Sequence, residues 1–414
     1  MKKYHLIILL IIALISSLNA QNELDTIWST KISDMYDAKI TPDNSRIIVA
    51  SEESILVLDE ATGETIKELD YQTRFNYKIT ISSDSKYLYT SQAMVWDLDT
   101  YELILDSSDV YLGKDICLSS DNSNLYIVSS GTGGGLENNR IISLRTSDLS
   151  KIQSLGDTNT DELKHYKLVA ISNDNKYLVV AGSEEKIIQP DERSEYTRVL
   201  EVYDPVSFEK LNTILRYKNE FTETNDLSIT EDSKTLIFTD SGSLIYYDFD
   251  TEESEVKLEK VELPNINHHT FQLSDSEDHI FVNTLGLITG KLYNTSEFME
   301  VADIPISHAY VHDFKEGKVL FGNSAFIYYY DLNNVINSIL TESVENLILR
   351  NNRISFNSKS NITLSIYDYL GNEHISREVN PGPFNMSLSN LMGGFYLITF
   401  NNGAEFQTIK YIRR

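Results

Sequence analysis

Several short patterns in the chain carry residue types that do chemistry. Five of its eight histidines crowd residues 268–312: His268, His269, His279, His308 and His312. Histidine is a general base at neutral pH and a common metal ligand. No two of these share a metal-binding spacing with a carboxylate, so no metal site is assigned. "DTNTDE" (157–162) sets Asp157, Asn159 and Asp161 at the first spacings of a calcium loop, but Glu162 stands where glycine is needed and Leu168 where the closing glutamate belongs. "GTGGG" (131–135) lacks the helix start and lysine of a phosphate cradle and reads as a loop. Cys117, the sole cysteine, lies between Ile116 and Leu118 in an apolar strand pattern. It reads as an inert packing residue, and an internal disulfide is excluded. No serine sits in a nucleophile elbow. The chain therefore shows no catalytic residue and implies no cofactor.

One more candidate is an aspartate that recurs. "ISSDSKYLYT" (81–90) returns as "ISNDNKYLVV" (171–180). Aligned on that residue, the copies fall at Asp43, Asp84, Asp121, Asp174 and Asp232, with Ser276 and Glu316 in two weaker ones. The residues three before and four after are aliphatic in nearly every copy, and the pattern between alternates as a strand does. An Asp beside Ser or Thr folds back onto backbone N–H groups and pins a tight turn. A residue repeated once per unit is spread around the molecule and does not converge on one substrate, so this aspartate is assigned to turns.

Each copy continues into a second strand pair, such as "ILVLDEATGE", "MVWDLDTYE" or "LIYYDFDTEE". A unit is thus four strands, here a to d, repeating about every 45 residues, the spacing of propeller blades. One such sheet leaves a face bare, whereas a closed ring buries both. The pattern resembles WD-repeat and YVTN-type β-propellers, and "VWDLDT" (95–100) holds the Trp-Asp pair; the Gly-His pair of strict WD repeats does not recur. The resemblance implies an all-β fold with seven blades over 21–341, closed by the N-terminal segment "LDTIWSTKIS" (24–33) pairing into the last blade.

Steps between the aligned positions are 41, 37, 53, 58, 44 and 40 residues. The excess lies in "SSGTGGGLENNR" (129–140) and "AGSEEKIIQPDERSEYTR" (181–198), both expected as b–c loops of blades three and four. Two d–a loops, 157–167 and 216–226, are expected beside them on the same rim. This rim is the candidate binding surface, offering Tyr166, Tyr196, Arg198, Tyr217 and Phe221, since long loops on one face of a repeat protein carry binding. The ligand would be a protein or a glycan. The alternative is a hydrolase or lactonase at the channel mouth using His268, His269 or His308.

After residue 341 the composition changes. Residues 342–414 carry seven basic and six acidic side chains, whereas 21–341 carry 26 and 56. The tail has short strands and turn signals at Leu370-Gly371-Asn372, Asn380-Pro381-Gly382 and Asn401-Asn402-Gly403, a pattern suited to a small Ig-like sandwich. "LSIYDYLGNEH" (364–374), "MSLSNLMGGFYLITF" (386–400) and the final "KYIRR" resemble the C-terminal sorting domain of the type IX secretion system. Tyr367, Asp368, Gly371, Leu388, Leu391, Gly394, Tyr396 and Lys410 take the places of that family's motif, though its opening Pro-Asn-Pro is missing. The resemblance implies the type IX machinery as a partner and a secreted or outer-membrane surface location.

The other end agrees. Lys2 and Lys3, the apolar run Leu6 to Leu14 and Leu18-Asn19-Ala20 before Gln21 form a signal-peptide pattern over 1–20. No later stretch reads as a transmembrane span. A net charge of −27 repels phosphate backbones, so nucleic acid is not an expected partner.

Overall fold

The structure is a computed structural model. It describes residues 25–70, 78–108, 113–128, 141–155, 162–186, 195–218, 224–259, 269–284, 289–296, 298–305, 310–323, 325–332, 344–350, 353–368, 372–392, 394–401 and 406–413. Every regular element among them is a strand, and no helix there is long and apolar enough to cross a membrane. The chain divides into two compact units, residues 1–332 and 333–414.

The first unit holds seven four-stranded antiparallel sheets. Blade I is β2 (Met35–Ile40), β3 (Arg46–Ser51), β4 (Ser54–Asp59) and β5 (Thr65–Asp70). Blade II is β6 (Ile79–Ile81), β7 (Tyr87–Thr90), β8 (Met94–Asp97) and β9 (Glu102–Asp106). Blade III is β10 (Asp115–Leu118), β11 (Asn124–Val128), β12 (Ile141–Arg145) and β13 (Lys151–Leu155). Blade IV is β14 (Glu162–Ile171), β15 (Leu178–Lys186), β16 (Glu195–Tyr203) and β17 (Lys210–Lys218). Blade V is β18 (Leu227–Ile229), β19 (Thr235–Asp240), β20 (Ser243–Asp248) and β21 (Ser254–Leu258). Blade VI is β22 (His269–Leu273), β23 (His279–Thr284), β24 (Thr289–Asn294) and β25 (Met299–Pro305).

Blade VII is composite. β26 (Tyr310–Lys315), β27 (Lys318–Gly322) and β28 (Phe326–Asp331) take β1 (Asp25–Lys31) from the other end of the unit as their outer strand. The expected closure by the N-terminal segment is therefore present. The Trp28 indole N–H donates to the Glu60 carbonyl (2.7 Å) in blade I, and Gly63, with φ +70°, lies against the indole ring. The Glu60 carboxylate accepts from Tyr329 (2.7 Å) and Lys318 (2.6 Å) of blade VII. A latch of an aromatic, a carboxylate and an ammonium thus spans the seam.

The repeated aspartates hold turns, as the sequence suggested. Asp84 Oδ1 accepts the Ser82 hydroxyl (2.6 Å) and the Lys86 N–H (3.2 Å), and Asp43, Asp121, Asp174 and Asp232 do the same in their turns. These turns are also joined from blade to blade. The next residue is left-handed in each of the five: Asn44, Ser85, Asn122, Asn175 and Ser233. The Ser85 hydroxyl accepts the Asp43 N–H, Asn122 Oδ1 the Ser83 N–H, Asn175 Oδ1 the Ser120 N–H and the Ser233 hydroxyl the Asp174 N–H. Glu277 and Asp275 carry the chain of bonds across blades V to VII, and Lys315 returns it to the carbonyls of Thr41 and Pro42.

The second unit has two sheets: β29 (Val344–Arg350), β30 (Arg353–Ser358) and β33 (Gly382–Ser387), and β32 (Glu373–Val379), β31 (Ile362–Asp368), β34 (Gly394–Asn401) and β35 (Phe406–Arg413). Its core gathers Ile354, Phe356, Leu364, Ile366, Tyr396, Ile398 and Phe400 from both sheets, with Leu388 and Leu391 from the segment after β33.

Candidate binding surface

Blade IV departs from its neighbours. Its strands run to ten, nine, nine and nine residues, where those of blade III run to four or five. The added length lies at the b–c and d–a ends. The first strand gains six residues and each of the others four, or roughly 13–20 Å at the rise of a strand. The expected loops 181–198, 157–167 and 216–226 are accordingly corrected: 181–186, 195–198, 162–167 and 216–218 are strand. The cause is local sequence: "EYTRVLEVY" keeps the strand alternation running into its neighbour, and "AGSEEK" pairs with it residue for residue. Residues 129–140, 187–194 and 219–223 lie outside the described residues, and so does Phe221.

Register fixes what the extension displays. His165 pairs with Ser183, Ser183 with Arg198 and Arg198 with Tyr217. Directly paired residues share a face, so these four form one row across the sheet. Two residues outward, Glu185 pairs with Tyr196 on the same face. The contacts agree. His165 Nε2 and Glu185 Oε2 are 3.1 Å apart, and the Tyr196 hydroxyl donates to Glu185 Oε1 at 2.9 Å. The Arg198 guanidinium sits 5.2 Å from the Tyr217 ring centre.

The lower part of this face packs on blade V, through Val179, Ala181, Leu200, Val202 and Leu215 against Leu236, Phe238 and Tyr247. Above that core, Arg198 ion-pairs with Asp240 (2.7 Å) and donates to the Ser241 hydroxyl (3.1 Å) of blade V. There β19 and β20 close through Ser241 and Gly242, both left-handed, in a two-residue turn. So short a turn leaves the blade IV extension standing above it as a step. Tyr196 and Tyr217 on that step are 47% and 44% exposed, while Arg198 beneath them is 5% exposed. The Glu185 hydrogen bond, with partial burial, raises the Tyr196 phenol above its ordinary range and keeps it a neutral donor.

Three of the five candidate residues thus meet: Tyr196, Arg198 and Tyr217. Tyr166 is corrected. It lies on the opposite face, buried against blade III residues, with its hydroxyl on Glu201 Oε2 (2.8 Å) and Tyr203 (3.0 Å). Sequence reading passed over His165, Ser183 and Glu185. The signal that finds them is the strand register, which a single sequence does not state.

The other chemical candidates resolve differently. His268 and His308 lie outside the described residues, as do Asp157, Asn159, Asp161 and the "GTGGG" segment; His269 opens β22. Glu162 and Leu168 are strand residues, which leaves no twelve-residue loop for calcium. Cys117 packs with the core between blades III and IV, and burial holds its thiol protonated. Around the axis, where first strands of successive blades meet, Asp37, Asp115, Asp226 and Asp313 accept the N–H groups of Ile79, Val169, Phe271 and Ile40 in the next blade. Lys78 and Lys39 lie among them, and His312 Nδ1 stands 3.6 Å from Asp37. Burial works against the Asp37 anion, but Lys78, the His312 bond and Lys39 outweigh it and hold this carboxyl well below its ordinary range. These carboxylates join blades.

In the second unit Asp368 ends β31, accepting from the Asn372 N–H and amide and facing His374 Nε2 at 2.9 Å. Tyr396 is buried, its hydroxyl on the Met392 carbonyl and its ring edge-on to His374. Tyr367 precedes Asp368, Gly394 opens β34, and Lys410 pairs with Leu397 in β35; Gly371 lies outside the described residues.

Residues 350–414 match the family described as "Secretion system C-terminal sorting domain". No curated protein sequence matches the chain. Among solved structures, hydrazine synthase of Kuenenia stuttgartiensis is similar at 14% identity, with a TM-score of 0.56 over 74% of this chain and 98% of that one. The Cps50 (Swd1) β-propeller domain of Myceliophteria thermophila is similar at 8% identity, with a TM-score of 0.56 over 74% and 99%. At such identities the likeness shows the fold alone. The protein is a seven-bladed β-propeller followed by a type IX secretion C-terminal sorting domain, which directs it to the cell surface or the extracellular space.

Proposed function

We propose that the protein is an extracellular binding module that takes its ligand on the step between blades IV and V. The observation that supports this reading is the lengthening of all four blade IV strands toward one rim, where two exposed tyrosines stand over a buried, ion-paired arginine. Tyrosine offers a large, stiff contact area with a polar tip, and a fixed arginine holds it in place at little entropic cost. Residues 1–20 serve export to the periplasm as a cleaved leader, and the sorting domain completes the route.

The test is adsorption of the purified secreted protein to the producing cells and to macromolecules of their medium, read by biolayer interferometry. Replacing Tyr196 and Tyr217 together by Ala abolishes adsorption, while Ile152→Ala, an exposed apolar position on blade III, leaves it intact. Equal adsorption by the double tyrosine variant removes this surface from the function.

A further inference from the structure

Resting on that reading, we infer that the ligand of the step is a neutral polysaccharide, laid along Tyr196 and Tyr217. Three observations lead there. The first is charge. The propeller residues 21–341 hold 26 basic and 56 acidic side chains, yet blade IV, 162–218, holds nine and ten. The surface thus lies in a blade where the strong negative excess is absent. An anion-seeking site needs a basic excess and a cation-seeking site an acidic one; this site has neither, and its arginine is already paired with Asp240 at 2.7 Å.

The second is the kind of side chain displayed. The open part of the face presents His165, Ser183, Glu185, Tyr196 and Tyr217, and among the described strand residues its register adds a single aliphatic position, Leu163, opposite Glu185. A protein partner is gripped by a dry apolar centre with a polar rim. A sugar ring needs the reverse: a flat aromatic surface for its C–H face and polar atoms around it for its hydroxyls. The negative face of a tyrosine ring attracts the weakly positive C–H groups. The Glu185 carboxylate accepts from hydroxyls; the Ser183 hydroxyl both donates and accepts.

The third is spacing. Tyr196 and Tyr217 stand on neighbouring strands in a diagonal relation, about 7–8 Å apart at the backbone. Arg198 covers one side of the Tyr217 ring at 5.2 Å, and the residue is still 44% exposed. Two rings on a rigid sheet fit successive units of a chain better than one isolated sugar.

The experiment is affinity gel electrophoresis of the purified secreted protein in gels cast with hydroxyethylcellulose, glycogen, galactomannan or laminarin, and with alginate as the anionic counterpart. At least one neutral polymer retards the protein and alginate does not. Tyr196→Ala and Tyr217→Ala each weaken retardation about tenfold or more, with thermal unfolding unchanged, and Tyr217→Phe restores it. The inference is overturned if none of the four neutral polymers retards the protein, if alginate retards it as strongly, or if both alanine variants bind as the parent does. Adsorption to cells that still depends on Tyr196 and Tyr217 but is destroyed by protease treatment of the cells overturns the sugar while leaving the binding surface. Adsorption indifferent to both tyrosines removes the surface as well.

Discussion

At the residue scale, one position was read for its own turn and serves two. Asp84 pins the turn it belongs to, and the alternating pattern around it made that plain. The residue after it, left-handed in every turn of this type, gives its side chain to the neighbouring blade. Asn122 has φ 58°, accepts the Ser83 N–H at 3.1 Å and donates to the Ser83 hydroxyl at 2.6 Å. Asparagine tolerates that backbone region and reaches across; alanine does neither. Asn122→Ala is expected to cost about 2 kcal/mol in urea unfolding, from backbone strain and a lost pair of bonds. Asn122→Gly relieves the strain and loses only the bonds, so it falls between parent and alanine. Equal stability of all three variants would remove the turn-to-turn chain from the account of how the ring holds.

At the scale of the element, the outer strands carry the device that keeps the ring's perimeter from pairing with other chains. Every c–d pair shifts register, blade IV twice and the others once, leaving Ile66, Ile104, Ile152, Leu211, Ile214, Lys257, Val301 and Ile27 as the extra residues of bulges. Bulges twist an edge away from incoming strands. Nothing in the period-2 pattern announces them, because a bulge is a property of two strands together. The closing strand shows the converse: the propeller resemblance implied that "LDTIWSTKIS" joins the last blade, and it does. Trp28→Ala empties the seam latch and is expected to cost about 3–5 kcal/mol, seen as a lower urea midpoint. A cost under about 1 kcal/mol would mean that the seam is closed by backbone pairing alone.

For the whole molecule, two axis aspartates pull with pH against the turn aspartates, and Asp37, also at the axis but lowered, acts with the turns. Burial raises Asp115 and Asp226 to about 6, against the pull of Lys78 and of their N–H donors. The folded state therefore binds more protons than the unfolded chain between about pH 6 and 4, and stability from these two groups rises as pH falls through that window. The turn aspartates act oppositely. Burial works against Asp43, but its Thr41 and Ser45 bonds outweigh it; the Ser82 and Ser119 bonds lead at Asp84 and Asp121. All three are lowered, so their contribution is present above the ordinary carboxylate range and lost as pH falls through their folded values. A maximum of stability between about pH 4 and 6 is the expected outcome of urea titrations. Asp115→Asn with Asp226→Asn keeps acceptors for the N–H groups and flattens the rise between pH 6 and 4; an unchanged slope would take the axis carboxylates out of it. Removing residues 342–414 is expected to hold the protein inside the cell envelope, as fractionation and surface protease treatment will report.

The sequence by itself determined the strand period, the seven units and the turn aspartates, and through its family resemblances the closing strand and the sorting domain. Each of these is written locally, by alternation, by a turn residue or by a contiguous motif. Only the tertiary structure decided which side chains share a face. A shift of one residue in register turns every side chain to the opposite side of a sheet, and that alone separated Tyr166, turned into the ring, from Tyr196 and Tyr217, left standing on its step.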